Sequence, residues 1–197
     1  MKITEIVIDR KKEANFQVLK NFTLSKDAQF SIDRDGYVSA SGTITLTTMC
    51  KKLPVKFKTM VGNFVCRGAG LEILEGCPEM VLGNFHCDNN NLTNLINGPI
   101  AVKGEYNCSN NPLTSTEGIA TEAGAITISY KEHLPLIRLM VINGVKDIRL
   151  VPDQHSERAA TWAVDKIIKK YVGQGKKGAL LCAVDLIRAG FKENAKR

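Results

Sequence analysis

The chain has 197 residues, 44% of them hydrophobic and 24% charged, with a formal net charge of +7; this composition belongs to a folded domain and excludes a disordered polyelectrolyte as the main state. No apolar run approaches the ~20 residues that cross a bilayer, and the opening MKITEIVIDRKK lacks an apolar stretch ending in a small-residue cleavage site. A cytoplasmic protein without a membrane partner is therefore expected, and its six cysteines read as reduced thiols rather than a disulfide framework.

Charge is unevenly spread. Residues 1–60 carry a net +5, residues 61–120 a net −4, residues 121–155 balance, and residues 156–197 carry +6, so an acidic middle is flanked by basic ends that attract different partners. At the start, the alternation in ITEIVID and FQVLKNFTL, with a turn signal at Asp35-Gly36, predicts strands, and residues 1–35 are expected to form an N-terminal β cap.

The middle repeats. Gly62, Gly83 and Gly104 recur every 21 residues, in phase with Phe64, Phe85 and Tyr106, with Cys66, Cys87 and Cys108, and with Leu71, Leu92 and Leu113. Such a period marks a stack of coils, because one coil cannot bury its own apolar face. The unit is aromatic-x-Cys-x-x-Asn-x-Leu-x-x-Leu, clearest at Phe85, Cys87, Asn90, Leu92 and Leu95. Alternation at the aromatic and the cysteine gives a short strand, the asparagine turns the chain and bonds backbone groups, and the leucines fill the interior behind it. Ala69 stands at the asparagine position of the first full copy, and Thr116 at the second leucine of the third. Weaker copies flank these, with Ile44 and Leu46 inward after Gly42, and Ile126 and Ile128 inward after Gly124.

Stacking at about 4.8 Å aligns equivalent residues. The aromatics and cysteines become interior ladders, and alternate residues form three outward ones: Asn63/Asn84/Glu105, Val65/His86/Asn107 and Arg67/Asp88/Ser109. A polar sheet face of this kind is the binding surface of many solenoids. Near the C-terminus, Ala160, Ala163, Val164, Ile167 and Tyr171 follow helical spacing from about Ser156, with Gly173 as a stop. A second helix is predicted from about Lys177 to Ala189, with Leu180, Val184 and Ile187 on one face, Leu181 beside them and Gly190 after. Together they make a helical hairpin packed on the last coils.

With these motifs the sequence resembles a set of bacteriophage-encoded proteins built of degenerate coils of the form Gly-x-Phe-x-Cys-x-x-Asn-x-Leu-x-x-Leu-x-Gly-x-Pro. Similar proteins also share the Tyr-x-Gly-x-Gly-Lys segment, here Tyr171 to Lys176, and the Ala-Gly-Phe-x-x-Asn-Ala close, here Ala189 to Ala195. The resemblance covers roughly residues 36–197 and implies a phage protein acting inside a bacterial host; it transfers no catalytic motif.

Other chemistry is weighed against plainer readings. The ladder cysteines beside His86 suggest zinc, but a row of sulfurs does not converge as a tetrahedron, and His86 should point away from Cys87 on one strand. No metal or cofactor is expected. Gly173-Gln-Gly-Lys-Lys-Gly178 lacks the spacing and the Ser/Thr of a P-loop and reads as a solvated turn. His133 and His155, beside Glu132 and Asp153, read as surface histidines, and no nucleophile signature such as Gly-x-Ser-x-Gly occurs. Lys166, Lys169, Lys170, Lys176, Lys177 and Arg188, with Lys192, Lys196 and Arg197 nearby, could neutralise nucleic-acid phosphates. On the first helix, however, lysines on the polar face are expected in any case, and Asp165 and Asp185 are placed to pair with Lys169 and Arg188.

The expected fold is α+β: a short leucine-rich-repeat-like β-solenoid, with residues 1–35 as the cap, 36–130 as about five coils, and 131–197 as a C-terminal region containing the hairpin. The expected function is non-enzymatic protein binding, in which a phage protein blocks a host defence or housekeeping protein. Its contacts would be Asn63, Val65, Arg67, Asn84, His86, Asp88, Glu105 and Asn107. Nucleic-acid binding by the basic hairpin is the alternative, and homodimerisation through the solenoid edges is a further partner mode considered.

Overall fold

In the computed structural model, residues 3–153 and 158–196 are described, with side chains from residue 10 onward. The chain winds into a β-solenoid of about five turns. Its rungs are the strands β3 (Val38–Leu46), β4 (Phe57–Val65), β5 (Met80–Val81) with β6 (Phe85–His86), β7 (Ala101–Asn107), β8 (Glu122–Ser129) and β9 (Asp147–Val151). All of them pair in parallel with the next rung. Before them lie α1 (Ile3–Asn21), β1 (Phe22–Leu24) and β2 (Gln29–Ile32); after them lie α2 (Arg158–Tyr171) and α3 (Gly175–Arg188).

The register of the central coils is the one the 21-residue period dictates, and the flanking coils keep it with 20 or 22 residues. Ile44, Phe64, Phe85, Tyr106, Ile126 and Ile148 are successive Cα partners, and all six are fully buried. Phe64 stacks on Phe85 at 6.0 Å between centroids, and Phe85 meets Tyr106 edge-on at 5.0 Å, so the row contributes ring contacts beyond simple burial. Cys66, Cys87 and Cys108 form the adjoining buried row, and Leu71, Leu92 and Leu113 the row behind them.

Two kinds of residue let coils stack this closely. A Cβ at Gly83 would sit 2.5 Å from the carbonyl oxygen of Gly62 in the coil before it, whereas the bare backbone donates an N–H to that oxygen at 3.0 Å. At the corners the chain turns through the left-handed region one repeat apart, at Gly68, Asn89 and Asn110; Gly and Asn are the residues that enter it most cheaply. The repeat asparagines then join coils. Asn90 Oδ1 accepts from Ala69 and Leu71 N–H, both at 3.0 Å, and its Nδ2 donates to the carbonyls of Cys66, Cys87 and Asp88. Asn111 repeats the pattern on Leu92, Cys87, Cys108 and Ser109. Ala69, which stands at the asparagine position without a side-chain amide, donates its N–H to Asn90 of the following coil.

Both ends depart from the sequence expectation. The strands predicted over ITEIVID and most of FQVLKNFTL are instead α1, which buries Ala14 and Val18 and exposes Phe16 and Leu19. The charged run from Arg10 to Glu13 is rich in helix formers, and burial at i, i+4 outweighs the short alternation. The β part of the cap is β1 and β2, both antiparallel to β3. At the other end, β9 adds a rung beyond residue 130, reached through a 3-10 turn at Ile137–Val141. Here α2 packs on β9 and α3 on the 3-10 turn, and Asp165 Oδ1 accepts the Leu150 N–H at 3.1 Å.

The helical hairpin is present, but its faces are turned relative to the prediction. On α2 the buried residues are Thr161, Val164, Ile168 and Tyr171, while Ala163 is exposed. On α3 Gly178, Ala179, Cys182 and Leu186 are buried, while the expected face of Leu180, Leu181, Val184 and Ile187 is 43–57% exposed. The small residues allow close approach to the underlying turn, so the bulky stripe is left on the outside. Asn194, from the closing motif, is fully buried: its Nδ2 donates to the carbonyls of Lys131 and Leu134 and clasps the tail to the solenoid end. Ser156, the expected start of the first helix, lies outside the described residues, as do His155 and Arg197. Among the described residues no helix is long and apolar enough to cross a membrane.

Candidate functional site

The outward side of the sheet carries the expected ladders in register. Val65, His86, Asn107 and Thr127 are successive partners across four rungs, all half-buried except Thr127, which is buried. Asn63 and Asn84 also lie half-exposed, but their amides are committed to the stack. Asn63 Oδ1 accepts the Asn84 N–H at 2.9 Å and Asn84 Oδ1 accepts the Glu105 N–H at 2.8 Å. Glu105 in turn accepts from the Thr127 hydroxyl. These side chains therefore hold the rungs level and present their remaining surface to solvent.

Two ladder members are placed differently. Asp88, expected on the surface, is buried at 3% exposure. Arg67 lies across it from the preceding coil with Nε 2.7 Å from Oδ2, and Asn89 Nδ2 donates to the same oxygen at 2.7 Å. Ser109 is likewise buried, its hydroxyl donating to Asn107 Oδ1 at 2.8 Å. This row sits where the chain leaves the sheet for the left-handed corner at Gly68, Asn89 and Asn110. Of the row, Arg67 alone is exposed. Asp88 Oδ1 and His86 Nδ1 are both buried with no hydrogen-bond partner among the described residues.

Beside the polar ladders is an apolar group that the sequence reading did not single out. Val61 is 51% exposed, Leu82 43% and Met80 42%. Val61 and Leu82 are one repeat apart, each directly before the ladder glycine. Their spacing was a usable signal, but alternation alone assigns apolar residues inward. The sheet thus presents a rigid surface with apolar side chains next to amide, imidazole and guanidinium groups.

The interior offers little chemistry. Burial pushes the Cys77 and Cys87 thiols well above their ordinary value and lifts Cys108 to about 12; it raises the Tyr106 hydroxyl as well. Protonated thiols are poor nucleophiles and poor metal ligands. Among the described residues no three His, Cys, Asp or Glu side chains are grouped to hold a metal ion.

At the solenoid's C-terminal end a cleft of about 880 Å³ is lined by Tyr130, Lys131, His133, Asp153, Phe191 and Lys192, among others. Several of its polar groups are engaged in structural contacts: Lys131 pairs with Asp153, and His133 Nε2 is 3.3 Å from the Leu113 carbonyl. The proposed phosphate-contacting residues are gathered on the hairpin and are exposed. Three of them are paired: Lys169 with Asp165 at 2.7 Å, and Lys170 and Arg188 with Asp185 at 3.0 and 3.7 Å. The Tyr171 hydroxyl donates to Asp185 at 2.6 Å and, with Lys170, holds its carboxyl below the usual range. Lys166, Lys176 and Lys177 make no ion pair among the described residues. Comparison with known protein families, curated proteins and solved structures brings no match.

Proposed function

We propose that the protein is a non-enzymatic recognition module that docks on another protein through the outward face of its sheet and blocks that protein by covering it. The observation that carries this reading is the exposed group Val61, Met80 and Leu82 on a hydrogen-bonded sheet, bordered by Val65, His86, Asn107 and Arg67. Half-exposed apolar side chains rimmed by polar groups mark interaction surfaces, and a rigid scaffold lowers the entropy cost of binding. The phage resemblance points to a bacterial host protein as the partner and the host cytoplasm as the place of action.

The test is affinity capture from host lysate with the wild type and with Val61→Glu/Leu82→Glu, two part-exposed positions, with circular dichroism of the variant expected to match the wild type. A partner recovered by the wild type should be lost from the variant; equal recovery would remove this face from the account. Nucleic-acid binding by the hairpin is the second reading, favoured by the exposed Lys166, Lys176 and Lys177, which make no ion pair among the described residues. It requires a gel shift that weakens by orders of magnitude between about 50 and 200 mM salt.

A further inference from the structure

We propose that the solvent face of α3 is a second docking surface, separate from the sheet face, and that its occupant is an acidic amphipathic helix of a partner protein. The helix is apolar nearly all round. Ala179, Cys182 and Leu186 pack inward, while Leu180 is 57% exposed, Ile187 50%, and Leu181 and Val184 43% each. Helices with that pattern are normally covered on both sides. Leu180, Val184 and Ile187 follow i, i+4, i+7, the spacing of a ridge that packs against another helix.

Charge selects the occupant. Lys176 and Lys177 lie in the first turn of α3, which contains no acidic residue; the positive end of the helix dipole makes this costly unless anions approach. At about 3.6 residues per turn, Lys176 flanks the ridge of Leu180, Val184 and Ile187 on one side, and Lys177 and Arg188 flank it on the other, between Val184 and Leu181. Asp185, the one acidic residue of the helix, is engaged by Tyr171, Lys170 and Arg188. A second copy of the chain would bring cation against cation, lysine against lysine in a parallel pair and lysine against Arg188 in an antiparallel one, with Asp185 already engaged. A lipid surface would press the interleaved cations toward hydrocarbon, and a nucleic-acid duplex would leave the leucine stripe without a counterpart. A helix with leucines on one face and flanking glutamates satisfies both features, as charged positions do beside a coiled-coil seam.

The test uses the full chain and fluorescence anisotropy. The probe is a labelled peptide of about three heptads, with leucines at the seam and glutamates beside it. A lysine-for-glutamate peptide, phosphatidylserine vesicles and a short DNA duplex are the controls. The acidic peptide should bind saturably and bind about tenfold more weakly to Leu180→Gln/Val184→Gln. Lys176→Glu/Lys177→Glu should lose it and take up the lysine peptide instead; this charge exchange carries the test if the first variant fails to fold. Val61→Glu/Leu82→Glu should bind the peptide as the wild type does, which separates this surface from the sheet face. Absence of saturable acidic-peptide binding, wild-type affinity in both hairpin variants, or a preference for vesicles or duplex would overturn the proposal.

Discussion

Asn90 shows how much of the stack rests on single amides. Its five hydrogen bonds reach the backbone of two coils, and it is 6% exposed, so water cannot replace them. Asn90→Ala should leave buried N–H and C=O groups without partners and cost about 2–4 kcal/mol, at about 1–3 kcal/mol for an unsatisfied group. Urea unfolding monitored by circular dichroism measures it, and a loss below about 0.5 kcal/mol would show that the ladder amides are dispensable. The same logic explains what was legible at this scale. Glycine, aromatic, cysteine and asparagine rows are visible in sequence because each repeat position meets one fixed environment. Asp88 was not legible: its place in the row assigns it outward, and only the reach of Arg67 across the coil, together with Asn89, makes a buried carboxylate tolerable.

At the scale of elements, the strands of the central coils were readable and the terminal elements less so. A short alternating segment such as ITEIVID also fits a helix, and what decides is the surface available for burial. In α1 that surface accepts Ala14 and Val18. The position of α3 was readable, but its orientation was not, since it has small apolar residues on one side and large ones on the other, and the close packing under it takes the small ones. The tail that follows α3 adds a clasp to this packing. Asn194→Ala removes the bonds to the Lys131 and Leu134 carbonyls and should cost about 1–3 kcal/mol locally. Hydrogen exchange should quicken in residues 131–136 and 190–196 and stay unchanged in the rungs at residues 85–108. Uniform quickening across all rungs would mean that the clasp and the stack unfold as one unit.

Taken whole, the molecule is a row of mutually dependent coils whose two ends need covering, because an open parallel rung offers unpaired backbone and apolar surface to other chains. At the first rung, β1 and β2 pair with β3. At the last, α2 lies against β9, Asp165 takes up the Leu150 N–H, and α3 covers the 3-10 turn that buries Ile137, Leu139 and Met140. The hairpin is thus both cap and proposed docking surface, and these roles use opposite faces of α3: small residues inward, large ones outward. Ending the chain after Asp153 should therefore do more than delete a binding site. The exposed edge of β9 and the uncovered 3-10 turn should drive concentration-dependent association, read by light scattering on a sizing column, whereas the full chain with its sheet-face or α3 substitutions stays in its wild-type oligomeric state. A shortened chain that remained monomeric, with the full chain's unfolding midpoint, would mean that the coils cap themselves and that the hairpin exists for binding alone.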